Sequence, residues 1–217
     1  MPIYTLRLFR DSLAAKTTNA VTNATLAARP RIILCREGVV GVRSNGQLAT
    51  LGAFSAWHGS GDCTISGGAG GGTALRWEIA PLDAAIGPGE LVLDSPITLA
   101  ANEPHLMRCD RVDFPIGGIA YTHTHRGPGI RYLLAGGISV RTQGHEHGIK
   151  PNEAWFESGP DPVLALASDT TTTAFARVMV LPRELIGKSS IKYVLPEDQD
   201  KPKRQTYQLF ADEPIEL

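Results

Sequence analysis

Short hydrophobic or alternating runs, separated by turn residues, recur along the whole chain. They are rich in Val, Ile, Tyr and Phe, and the clearest are IYTLRLF, RIILCREGVVGVRS, ALRWEIA, RVDFPIG, IRYLLAGGISVRT, AWFES, PVLALAS and AFARVMVLP. Runs of this kind predict β-strands. The 23 glycines and 15 prolines are spread through the 217 residues, which favours many short strands over long helices. The pattern therefore predicts an all-β protein.

The second half of the chain repeats part of the first. When the sequence is shifted by 98 positions, ten identities fall in the ungapped window 30–61, where ordinary composition gives about two or three. The matched pairs are Pro30 and Pro128, Ile32 and Ile130, Gly38 and Gly136, Val42 and Val140, Arg43 and Arg141, Gly46 and Gly144, Ala56 and Ala154, Trp57 and Trp155, Ser60 and Ser158, and Gly61 and Gly159. We expect a degenerate N-terminal module over 1–84, a connection over 85–100, a C-terminal module over 101–190 and a tail over 191–217.

The charge composition narrows the range of partners. Lys and Arg number 21 against 22 Asp and Glu, a formal net charge of -1, so neither nucleic acid nor a membrane is an expected partner. No stretch approaches the ~20 apolar residues that cross a bilayer, and the N-terminus has no secretory pattern, so we expect a cytoplasmic location. Cys35, Cys63 and Cys109 form no CxxC pattern and are expected to be free thiols.

A pair of histidines is the main candidate for chemistry. His123 and His125 lie two apart on a predicted strand, so both imidazoles face the same side and can chelate one metal ion. At the same offset the first copy has Thr25 and Ala27, which cannot replace an imidazole. By strand alternation Tyr121 is expected to share the face of the histidines.

These residues resemble the motifs of the cupin superfamily. Gly118, His123, His125 and Gly136 fall on the glycine and histidine positions of the first cupin motif, while Gly129 occupies its glutamate position. The segment PNEAWFESGPDPV echoes the second motif through Pro151, Asn152, Glu153 and Gly159, but its histidine position falls on Pro162 or Val163. The resemblance implies two tandem cupin jelly-roll (double-stranded β-helix, RmlC-like) barrels, a bicupin, and favours a homodimer.

The resemblance also implies a metal site that lacks two of its usual ligands. Because two histidines alone hold a metal loosely, a third ligand is required, for which Glu157 and Asp161 are the candidates. With Glu157, the site would suit one divalent transition metal ion: Fe, Zn, Ni or Mn. Arg131 lies two positions after the vacant glutamate position, so it either binds a substrate carboxylate or pairs with Glu157 in place of a metal.

Two functions remain open from the sequence. The first is a metal-binding cupin that acts on or binds a small organic molecule, as a dioxygenase-like enzyme on an organic acid or as an isomerase. Its metal ligands are His123, His125 and Glu157, and its catalytic residues are Tyr121, Arg131 and Glu157. The second is a non-catalytic small-ligand-binding or structural bicupin whose metal site has decayed.

Overall fold

A computed structural model describes residues 3–15, 24–100 and 103–217. The chain divides into two compact units, one of residues 1–102 and 215–217 and the other of residues 103–214. In the described part of the first unit, the strands are β1 (Ile3–Leu13), β2 (Ala24–Leu26), β3 (Arg31–Ser44), β4 (Gln47–Leu51), β5 (Ala56–Gly59), β6 (Cys63–Pro81) and β7 (Glu90–Thr98). They form one antiparallel sheet in the order β4-β3-β6-β1-β7, with β2 beside β6 and β5 beside β3.

The second unit consists of two five-stranded sheets. Its strands are β8 (His105–Phe114), β9 (Ile119–His125), β10 (Gly129–Ala135), β11 (Ile138–Thr142), β12 (His145–Ile149), β13 (Ala154–Glu157), β14 (Val163–Ala167), β15 (Thr173–Pro182), β16 (Ile191–Tyr193) and β17 (Thr206–Ile215). One sheet has the order β13-β10-β15-β8-β17 and the other β12-β11-β14-β9-β16. Both sheets contribute to one apolar core, which includes Val112, Phe114, Leu133, Val140, Val163 and Phe175. The all-β prediction is confirmed.

The sequence repeat corresponds to equivalent strands in the two units. At the offset of 98, β4 matches β12 and β5 matches β13, while β3 spans the positions of both β10 and β11. Gly38 bends β3 where Gly136 separates β10 from β11, with φ of 70° and 76°. The first unit therefore has one long bent strand, β3, where the second unit has two shorter strands, β10 and β11.

Two segments that the sequence did not assign to strands lie at sheet edges. The expected connection 85–100 contains β7, which pairs with β1, and the expected tail 191–217 contains β16 and β17. In β7 and β17 most side chains are exposed or half-buried. Edge strands of this kind lack a continuous apolar face, so periodicity does not reveal them.

Gly136 and Gly144 provide a matched test of the bend. Both have φ of 76°, but a Cβ on Gly136 would lie 2.3 Å from the Thr172 carbonyl oxygen, whereas a Cβ on Gly144 would meet nothing within 4 Å. We expect Gly144→Ala to lower the free energy of unfolding by about 1 kcal/mol, and Gly136→Ala by about 3 kcal/mol or more. Urea unfolding measures both free energies. Equal losses in the two variants would show that the close approach of backbone at Gly136 does not affect stability.

Candidate metal site in the second unit

Two strands of the second unit bring two imidazoles and a carboxylate together. His123 and His125 lie on β9 and Glu157 ends β13. One ligand atom from each lies within 4.8 Å of those of the other two, and all three residues are buried. The His125 Nε2 to Glu157 Oε2 distance is 3.8 Å. The three sequence-predicted metal ligands are thus neighbours in the fold.

Glu157 reaches the site from the strand beside the vacant glutamate position. In the antiparallel pairing of β10 with β13, Glu157 lies directly opposite Gly129, and side chains at such positions are close neighbours. A Cβ on Gly129 would lie 2.6 Å from the Val178 carbonyl oxygen and 3.0 Å from Arg131 Nη1. Position 129 therefore has no room for a side chain, and the carboxylate comes from β13 instead.

Hydrogen bonds orient all three candidate ligands. The indole Nε1 of Trp155 donates to Glu157 Oε1 at 2.9 Å, as expected for two residues on one strand face. His123 Nδ1 lies 2.7 Å from the Tyr121 carbonyl oxygen, which can only accept, so Nδ1 carries the proton and Nε2 keeps a lone pair. His125 Nδ1 lies 3.1 Å from Ser190 Oγ, and His125 Nε2 has no hydrogen-bond partner. Contacts of this type hold metal-binding histidines in the required tautomer.

The Tyr121 side chain does not join this group, contrary to its prediction. Val163 pairs with His123, but Ala165 pairs with Ala120, so β9 has one extra residue between Ala120 and His123. This β-bulge changes the alternation, and Ala120, not Tyr121, lines the inner cavity. The Tyr121 ring instead lies 4.9 Å from Lys201 Nζ. What Tyr121 contributes to the site is its carbonyl oxygen.

Arg131 contacts the same carboxylate. Its Nη2 lies 2.6 Å from Glu157 Oε2, which makes the two residues an ion pair. The N–H bonds of Nη2 do not point at the oxygen, so the contact does not have the geometry of a hydrogen bond. Arg131 Nη1 donates to the Gly129 carbonyl at 2.7 Å. Two neutral imidazoles and a carboxylate are donors that fit a divalent transition metal, and His125 Nε2 has no hydrogen-bond partner.

Burial controls the protonation of these groups. It lowers the pKa of His123, and burial together with Arg177 and Arg131 lowers the pKa of His125 further. Burial also lowers the pKa of Arg131 to about 10, although Glu157 opposes this. At neutral pH both imidazoles are therefore free to accept a metal ion while Arg131 stays charged.

A second buried ion pair adjoins the site and was not predicted from the sequence. Arg177 on β15 donates from Nε to Asp110 Oδ1 at 2.7 Å and from Nη2 to Oδ2 at 3.1 Å. Burial disfavours the charged guanidinium, but Asp110 outweighs it and raises the pKa of Arg177. The available signal was Arg177 within the otherwise apolar strand β15, since a charged residue is rarely buried without a partner.

The site opens onto two unequal spaces. The inner cavity, about 20 Å³, contacts His123, His125, Arg131 and Glu157 and has room for little more than one water molecule. A larger chamber of about 420 Å³ is lined by residues that include Arg108, Lys188, Ser190, Lys203 and Leu209. Four residues line both spaces and form the wall between them: Arg177, Ile191, Tyr193 and Tyr207. β16 and β17, from the expected tail, thus complete the site.

The other candidates lie elsewhere or lack partners. Asp161 Oδ2 accepts hydrogen bonds from Gln143 and Ser158 and is not part of the cluster. In the first unit, the positions equivalent to His123, His125 and Glu157 hold Thr25, Ala27 and Gly59. All three cysteines are free and buried, as expected.

The lowered histidine pKa values predict an acid-sensitive fold when metal is removed with a chelator. Unfolded histidine titrates near pH 6.5, so below that pH the unfolded chain binds protons that the folded chain does not. Stability is therefore complete above about pH 7.5 and falls on acidification, by up to about 1.4 kcal/mol per pH unit for each neutral histidine. Urea unfolding between pH 7.5 and 5.5 measures how steeply the free energy of unfolding falls with pH. We expect a shallower fall in His125→Gln than in wild-type protein, and the wild-type fall in His147→Gln, because the side chain of His147 is exposed. An unchanged slope in His125→Gln would contradict the assignment.

Comparisons with known proteins give a structural likeness only. No protein-family model matches the sequence, and no curated protein matches it. No helix among the described residues is long and apolar enough to cross a membrane.

Three similar solved structures share between 10% and 16% of their residues with this chain. A cupin 2 conserved barrel domain protein from Leptotrichia buccalis has 16% identity and a TM-score of 0.50 over 83% of this chain and 85% of that one. A mutant oxalate decarboxylase from Bacillus subtilis has 11% identity and a TM-score of 0.60 over 89% and 74%. Salicylate 1,2-dioxygenase from Pseudoaminobacter salicylatoxidans, in adducts with gentisate, has 10% identity and a TM-score of 0.54 over 94% and 72%. Similarity at this level establishes a shared fold.

Proposed function

The chain has the cupin jelly-roll fold, and on that basis we propose that its second unit binds one divalent transition metal ion and, with it, a small organic anion. His123, His125 and Glu157 are the proposed ligands. The observation that carries this proposal is the convergence of their donor atoms within 4.8 Å, with His125 Nε2 and Glu157 Oε2 lacking hydrogen-bond partners. A buried polar atom without a partner is costly. A metal ion would satisfy His125 Nε2 and would share Glu157 Oε2 with Arg131.

A bound metal would supply Lewis acidity and open coordination positions to the site. The protein groups then have separate roles. The Tyr121 carbonyl holds His123 in the metal-binding tautomer, and Ser190 Oγ lies at hydrogen-bond distance from His125 Nδ1 and orients that ring. Arg131 presents a guanidinium, whose planar fork suits a carboxylate. The reaction classes we propose are dioxygenase-like oxidation of an organic acid and isomerisation.

The larger chamber is the proposed route for the organic molecule. Its volume of about 420 Å³ lies in the range of ordinary ligand pockets, and it shares Tyr193 and Tyr207 with the inner cavity. Two known proteins of this fold support a small acid as the ligand, since one is an oxalate decarboxylase and the other forms adducts with gentisate.

Cobalt(II) titration of the metal-free protein tests the metal site. We expect one equivalent to bind, with a visible absorption band, and to raise the thermal midpoint in proportion to the logarithm of cobalt concentration. The His123→Ala, His125→Ala double variant serves as the negative control and should show neither effect. If the wild-type protein gives no band and no stabilisation, the proposal fails.

A non-catalytic function is the second candidate, and one observation favours it. Arg131 Nη2 lies only 2.6 Å from Glu157 Oε2, so a permanent cation already stands beside the carboxylate. In this alternative the second unit binds a small carboxylate without metal. Calorimetry with acetate and benzoate on chelator-treated protein distinguishes the two, because binding without metal favours the alternative.

The proposal extends to the whole chain. The first unit, which lacks the histidines and the carboxylate at the equivalent positions, has a structural role. The cytoplasmic location and the homodimer rest on the sequence alone, and size-exclusion chromatography with light scattering tests the homodimer.

A further inference from the structure

The charged groups around the inner cavity cancel one another. Glu157 and Arg131 form one buried ion pair, and Asp110 and Arg177 form another. Among the described residues, the charged side chains that line the cavity are Arg131, Glu157 and Arg177. Asp110 is the partner of Arg177. With neutral imidazoles, as metal ligation requires, the site has no net charge.

A divalent metal ion would upset this balance. It would add two positive charges to a site where Arg131, Glu157, Arg177 and Asp110 are each less than a tenth exposed, and uncompensated buried charge is strongly unfavourable. It would also compete with Arg131 for the same atom, Glu157 Oε2, which Arg131 Nη2 approaches to 2.6 Å. Ligation of Glu157 to a metal would leave Arg131 as a buried cation whose remaining hydrogen bond is to the Gly129 carbonyl, without a carboxylate partner.

We propose that metal and a small carboxylate bind this site cooperatively, with Arg131 exchanging Glu157 for the incoming anion. This inference rests on the proposed function. It adds that the organic ligand is an anion and that the metal binds weakly when the anion is absent. The anion offsets one of the two positive charges of the metal and pairs with Arg131 Nη2, whose present contact is the ion pair with Glu157. By linkage, the metal strengthens anion binding by the same factor.

The ligand class follows from the charge of the site. Arg131 needs a new carboxylate partner when Glu157 binds metal, so the carboxylate is the recognised part of the ligand. The inner cavity holds little more than one water molecule, so the remainder of the ligand lies toward the chamber. Acetate is therefore a suitable probe, and acetamide is its neutral counterpart of nearly the same shape. The two differ mainly in the charge that the cooperativity requires.

The test is cobalt(II) titration of metal-free wild-type protein at constant ionic strength, maintained with sodium perchlorate. We expect saturating acetate to lower the cobalt Kd at least about tenfold, within the usual range of coupling between ligands, after correction for cobalt acetate formed in solution. Acetamide should leave the Kd within about twofold of the value without additive.

Arg131→Gln tests the residue that is proposed to link the two ligands. This variant removes the competing cation, so cobalt should bind more tightly without acetate and the effect of acetate should fall below about threefold. Arg126→Gln is the matched control, since Arg126 is an exposed arginine on a surface ion pair with Glu184. Circular dichroism checks folding, and if Arg131→Gln does not fold, the acetate and acetamide comparison on wild-type protein decides alone.

The outcomes separate this inference from the proposed function. Cobalt binding that acetate strengthens and acetamide does not supports the inference. Cobalt binding that is equal with acetate, with acetamide and with neither overturns the inference and leaves the metal site standing. Absence of cobalt binding under every condition overturns both.

Discussion

Replacing Asp110 with alanine should lower the free energy of unfolding by about 3–5 kcal/mol, because it leaves the Arg177 guanidinium buried without a carboxylate. Both residues are largely buried, and two hydrogen bonds of 2.7 and 3.1 Å join them. Arg177 cannot become neutral by losing a proton, since arginine does not deprotonate under these conditions. Urea unfolding at pH 7.5 measures the loss.

Asp113→Ala is the matched control for that prediction. Asp113 lies on the same strand and pairs with Arg111 at 2.7 Å, but the Asp113 side chain is 41% exposed. A solvent-accessible pair of this kind contributes about 0–1 kcal/mol. The double variant Asp110→Leu, Arg177→Met should regain most of the stability lost in Asp110→Ala. Equal losses for Asp110→Ala and Asp113→Ala would show that burial does not set the strength of these pairs.

Glu157→Gln should weaken metal binding by on the order of 100-fold or more, beyond the 10–100-fold loss typical of groups that only support a ligand. Glutamine retains an oxygen that can accept the Trp155 hydrogen bond, so the substitution removes mainly the charge. The change in cobalt Kd measures the effect. Glu146→Gln is the control, because Glu146 is exposed on β12 and pairs with Arg141 outside the cluster.

Stability must be separated from metal binding in the Glu157→Gln experiment. Without metal, the variant leaves Arg131 buried and unpaired, which should cost several kcal/mol. The double variant Glu157→Gln, Arg131→Met removes that cation and still lacks the carboxylate. If either folded variant binds cobalt as tightly as wild-type protein, Glu157 is not a ligand.

The successful predictions were those that depend on regular strand geometry. Two-residue spacing placed His123 beside His125, because alternation holds in a regular strand. Trp155 and Glu157 on β13 follow the same rule. The same rule failed for Tyr121. One extra residue in β9 reverses which sheet face the residues before the bulge point to. A bulge of this kind leaves no clear trace in a single sequence.

The remaining parts of the site depend on tertiary contacts that local patterns do not encode. Ser190 lies in the segment before β16 and reaches His125 only when that edge strand pairs with β9. Tyr193 and Tyr207 come from the segment expected to be a tail. Arg177 was hidden within an apolar strand, although the first unit has a comparable buried pair, Arg76 with Asp11.

Elemental analysis tests whether the second unit holds a metal ion at His123, His125 and Glu157. The protein is purified without a histidine tag or chelator and compared with the His123→Ala, His125→Ala double variant. We expect close to one equivalent of a transition metal in the wild-type protein and none in the variant. A wild-type protein that carries no metal and cannot be loaded with one would contradict it.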